Sequence, residues 1–135
     1  MKTFLSGNAT RWMLASALAL SACGDSTSSP GIQPEIVNAT DNFQYQVSAI
    51  EDYSGTQTYT WQNTGTTATI NQSASVSAGS ATLVLLDADG TQVYSRSLAE
   101  DGTFSSAAGT AGSWTVRVSY NSVDATVNFR VDKAN

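Results

Sequence analysis

Residues 112–131, GSWTVRVSYNSVDATVNFRV, carry the pattern that decides the fold class. Trp114, Val116, Val118 and Tyr120 fall on one side of a period-two alternation and Thr115, Arg117 and Ser119 on the other, which predicts a half-buried strand. Residues 121–124 read as a turn, after which Ala125, Val127, Phe129 and Val131 alternate with Thr126, Asn128, Arg130 and Asp132. The two runs together predict a hairpin.

Working outward, the same grammar recurs. Residues 81–86 (ATLVLL) are apolar apart from Thr82, as in a central strand, and lead through Asp87-Ala88-Asp89-Gly90 into a second arm at 91–98. An Asp-Gly pair tolerates the positive φ that tight turns between right-twisted strands require. Nearer the N-terminus, Phe43, Tyr45, Val47 and Ala49 alternate with Gln44, Gln46 and Ser48, and Tyr59 and Trp61 alternate with Thr58, Thr60 and Gln62. Asn63-Thr64-Gly65 supplies turn chemistry, and residues 67–76 form a weaker run.

About seven short strands without a convincing amphipathic helix predict an all-β domain over residues 43–135, an antiparallel two-sheet β-sandwich. Immunoglobulin-like and jelly-roll topologies both remain open, and the paired cysteines of true immunoglobulin domains are missing. Composition agrees: the chain is rich in Ser, Thr, Gly, Ala and Val, with 2 Pro in 135 residues. The segment 80–131, with its DADG turn and GSWTVRV strand, resembles small β-sandwich domains of secreted bacterial proteins and lipoproteins. That resemblance carries over no catalytic residues.

The N-terminus has a different character. Lys2 and Arg11 precede the apolar run 12–20 (WMLASALAL), and Leu20-Ser21-Ala22-Cys23-Gly24 follows. The run is too short for a membrane span of about 20 residues but suits the roughly 7–15 of a secretory signal helix. The pentapeptide resembles the bacterial lipobox, a leucine three residues before a cysteine with small residues between. The resemblance implies that diacylglycerol is attached to Cys23, that the signal peptide 1–22 is cut off between Ala22 and Cys23, and that an N-acyl chain such as palmitate completes the anchor. Each buried methylene contributes about 0.8 kcal/mol, so two or three chains hold a protein durably at a bilayer.

Residues 23–42 are expected to be the lipidated cysteine and a flexible linker, whose roughly 19 residues beyond Cys23 would reach roughly 25 Å. Within it, 32–37 could pair as an edge strand. Gly24 after the cysteine, where inner-membrane retention would favour Asp, points to the outer membrane of the cell envelope if the cell has one. Removing Lys2 and Arg11 leaves four basic against eleven acidic residues, a net charge of −7. Nucleic acid is therefore not expected as a partner, and the lipid is left as the membrane contact.

One cysteine and no histidine remove imidazole- and thiolate-based metal sites and histidine-assisted nucleophiles. Asp87 and Asp89 are calcium candidates by their D-x-D-G spacing, but the later ligands of an EF-hand loop are missing, and a solvated hairpin turn is the better account. Glu51-Asp52 and Glu100-Asp101 read as loop charge, since adjacent strand residues point to opposite faces. Tyr59 and Trp61 could form an aromatic face for sugar rings, although sandwich core is the better account. No cofactor is expected beyond the acyl chains. The expectation is a non-catalytic binding or structural module with a protein or glycan partner. The alternative is a small carboxylate-dependent enzyme or enzyme inhibitor, which a concave pocket gathering acidic side chains would favour.

Overall fold

The computed structural model describes residues 32–135, so the signal peptide, Ala22, Cys23 and most of the expected linker lie outside the described residues. Seven strands follow in order: β1 (Glu35–Ala39), β2 (Asn42–Asn63), β3 (Ala68–Gln72), β4 (Ser75–Leu86), β5 (Gln92–Ser97), β6 (Gly102–Ser105) and β7 (Gly112–Lys133). There is no helix among the described residues. Every pairing is antiparallel, and all seven strands belong to one hydrogen-bonded sheet.

Strand β7 is the spine. It pairs with β2 along one edge, from Asn42↔Asp132 to Asn63↔Gly112. Along its other edge lie β3, opposite residues 129–133, and β4, opposite residues 115–126. The N–H of Ser73 donates to Asn128 O at 2.9 Å, carrying that edge across the gap between β3 and β4. Strand β1 extends the sheet beyond β2, β6 beyond β3, and β5 beyond β4.

The hairpin expected at residues 121–124 does not exist, because β7 runs straight through them. The positions are a corner. Between Val47 and Gly55 the β2–β7 register slips three times, and the β4–β7 register slips between Val76 and Ser80. Ala49 (φ 57), Asp52 (φ 46), Ser122 (φ 45) and Gly79 (φ 70) lie in this zone. Bulges add local twist and bend the strands that contain them. Strand β2 consequently meets itself: the Phe43 ring is 5.6 Å from that of Tyr59, and Trp61 Nε1 donates to Ala39 O at 3.1 Å. Residues 58–63, expected as a separate strand, are the far end of β2.

The core collects the inward halves of these alternations. Trp61 and Trp114, opposite one another in the ladder, are fully buried and meet edge to face at 5.9 Å. Tyr45 stacks on Phe129 at 4.9 Å, and Leu83, Leu85, Val116, Val118, Val127 and Val131 fill the space around them. The expected hairpin through the Asp-Gly turn is present as β4–β5. The chain is already a strand at Glu35, so ordered structure reaches into the stretch read as linker, as the 32–37 edge strand anticipates.

Candidate functional site

Asp87 sits at the end of β4, where the strand must turn within a few residues, and it organises that turn. Its Oδ1 accepts the N–H groups of Asp89 (3.0 Å) and Thr91 (2.9 Å), and its Oδ2 accepts the N–H of Thr110 (2.9 Å). Thr110 Oγ1 donates to Asp89 Oδ2 at 2.7 Å, so the segment before β7 is pinned to the hairpin. The carboxyl is held below the ordinary value, first by the Thr110 and Thr91 amides and against the opposing effect of desolvation. Both carboxylates that sequence offers to calcium are thus engaged by protein donors, and no group of three His, Cys, Asp or Glu able to hold a metal occurs among the described residues.

A depressed carboxyl pKa stabilises the fold above the unfolded value and loses that effect as pH falls through the folded value. Asp87→Asn should therefore lower the melting temperature at pH 7 and converge on the wild type in acid, below the ordinary 3.8. Thermal unfolding of both proteins from pH 7 to pH 2 measures this, and a gap that stayed constant would sink it.

Trp61 lacks any exposed surface, which removes it from an aromatic platform for sugar rings. Its β-strand phase points it inward, and its indole N–H is consumed by the Ala39 carbonyl. Tyr59 is half-buried, and its hydroxyl belongs to a cluster that alternation alone does not reveal. Tyr45 donates to Gln57 Oε1 (2.7 Å), Tyr59 donates to the same oxygen (2.9 Å), and the Tyr45 and Tyr120 hydroxyls lie 2.6 Å apart. Since the Tyr45 proton goes to Gln57, Tyr120 is the donor of that pair. Burial pushes all three phenols up from their ordinary value, so the cluster stays neutral. Its members converge only because β2 bends.

The remaining carboxylates divide between support and surface. Glu100 pairs with Arg96 at 2.7 Å, and Asp101 accepts the Ala74 N–H at 2.9 Å. At the corner, a depression of about 580 Å³ is lined by Glu51, Asp52 and Asp124 together with Ser75, Ser77 and Thr126. One Asp124 oxygen already accepts the Asp52 N–H at 2.7 Å. A second depression, about 220 Å³, lies beside β1 and is lined by Glu35–Val37, Gln44–Gln46 and Asn128. Val37, 52% exposed, is the large apolar side chain left in solvent among the described residues.

No protein-family model and no curated protein matches this chain.

Proposed function

We propose that this chain is a bacterial envelope lipoprotein whose β-domain is a non-catalytic binding or structural module held at the membrane by acyl chains on Cys23. The observation that carries the reading is Leu20-Ser21-Ala22-Cys23 directly behind the apolar run 12–20. The start of β1 at Glu35 supports it, since twelve positions beyond Cys23 leave room for a short tether. The bent sheet is read as a β-sandwich made by folding one sheet over its own core, supported by contacts between the two ends of β2. The structural engagement of Asp87, Asp89 and Asp101 favours a module without catalytic carboxylates.

Cys23→Ser should abolish incorporation of labelled palmitate and move the protein from the membrane fraction to the soluble extract. A variant that still took up the label would overturn the reading. The corner depression favours a second reading, a carboxylate-dependent enzyme using Glu51, Asp52 and Asp124. That reading requires turnover of a glycoside or ester substrate that Glu51→Gln removes.

A further inference from the structure

Strand β1 is an edge, with β2 on one side and no strand on the other among the described residues. Which of its backbone groups face outward follows from the ladder. The N–H of Lys133 donates to Asp41 O, and the N–H of Ser73 to Asn128 O, so odd-numbered groups of β2 address β7. Even-numbered groups address β1, where Gln46, Gln44 and Asn42 meet Glu35, Val37 and Ala39. The N–H and C=O of Ile36 and Asn38 therefore point away from the sheet.

A second copy of β1 added antiparallel can use every one of those groups in a single register. Ile36 pairs with Asn38 of the second copy and Asn38 with its Ile36, giving about four main-chain hydrogen bonds. Val37 then falls on the two-fold axis, facing its own equivalent in a non-hydrogen-bonded pair, where the Cα atoms approach to about 4.5 Å and side chains lie closest. Glu35 lands opposite Ala39, so no like charges oppose each other.

Protected edges carry inward-pointing charge, lysine, proline or bulges. Residues 35–39 have none of these devices beyond the single Glu35, with Pro34 directly before them, and parts of two other edges are capped. Thr60 O and Gln62 O on the far end of β2 are capped by Asn38 and by the Asp41 N–H, and Val93 O on β5 by the Ala107 N–H.

The geometry points to a second copy of this chain as the partner of β1, joined through Val37 in an isologous two-fold pairing that continues the sheet from one protomer into the next. The contact is small, and the protomers are both acidic, so association is weak at low salt and strengthens as added salt screens the repulsion. The proposal does not depend on the lipid anchor.

The test uses the full chain carrying Cys23→Ser, so that an introduced thiol is the only one. Under mild oxidation Val37→Cys should form a disulfide-linked dimer about tenfold faster or more than Glu35→Cys or Ala39→Cys alone, because only at the axis do like residues come within disulfide range. Mixing Glu35→Cys with Ala39→Cys should give the heterodimer. Val37→Asp, which places like charges on the axis of an exposed site, should melt like the parent yet sediment as a monomer at concentrations where the parent dimerises. Equal crosslinking at all three positions, a crosslink to a different protein, or a parent that stays monomeric at millimolar concentration in high salt would overturn the pairing.

Discussion

Gly79→Ala is expected to be among the most damaging single-methyl changes in the β-domain, lowering the melting temperature by on the order of 10–20 °C. Gly79 lies in β4 at the corner with φ 70, and a Cβ there would overlap the carbonyl oxygens of Ser122 and Asn121 in β7. Neither obstacle can yield, because the blocking atoms are backbone of the spine strand. The left-handed conformation contributes about 1–2 kcal/mol of strain and forced packing typically 1–3 kcal/mol, so roughly 2–5 kcal/mol should be lost. Gly90 is the control: its φ is 86, but a methyl group there would meet nothing within 4 Å, so Gly90→Ala isolates the conformational cost. Calorimetry of the two variants decides the matter, since equal melting temperatures would show that the approach of β4 to β7 is not what holds the corner.

That corner is also where sequence and structure part company. Residues 121–124 carry Asn, Ser and Asp, all favoured in turns, and a bulge draws on the same chemistry as a hairpin turn. What separates the two is whether the partners continue. Here Val123 still faces Tyr53 and Asn121 still faces Ser80, so the strand passes through the bend paired on both sides. Those partners are about 70 and 40 positions away, and local alternation contains no information about them. The same reason explains why 58–63 read as a separate strand from 43–49, although both are β2.

Where a strand is long and buried on one face, alternation is sufficient: Trp114, Val116, Val118 and Tyr120 all point inward, as do Val127, Phe129 and Val131. Strand β6 is invisible to it because four residues, GTFS, with Phe104 as the one half-buried apolar side chain, show no period at all. The Asp87 turn is legible as a turn, yet its tie to Thr110 joins segments 23 positions apart and is not. The Tyr45–Gln57–Tyr120 cluster needs both the register of β2 on β7 and the bend in β2, and neither is local.

The buried polar cluster at Gln72 offers the second large effect. Gln72 is 1% exposed at the end of β3; its amide donates to Ser97 O (3.0 Å) and Glu100 O (2.6 Å), and its carbonyl accepts the Tyr94 hydroxyl (2.6 Å). One side chain thus ties β3 to β5 and to the connection leading into β6, in a place where no adjacent ladder joins those segments. Gln72→Leu fits by volume but leaves Glu100 O without a donor and the Tyr94 hydroxyl without an acceptor, at about 1–3 kcal/mol each, while Ser97 O keeps the Glu100 N–H, so a net loss of roughly 2–4 kcal/mol is expected after the gain from the apolar side chain. Removing the Tyr94 hydroxyl separates these contributions. Tyr94→Phe should destabilise the parent but leave the Gln72→Leu protein unchanged or slightly more stable, because the hydroxyl there has already lost its acceptor. Additive losses in that double-mutant cycle, measured by urea unfolding, would mean that Tyr94 and Gln72 stabilise the fold independently. Burial pushes the Tyr94 hydroxyl up to about 12, so the phenol remains a donor throughout the neutral range in which the cycle is run.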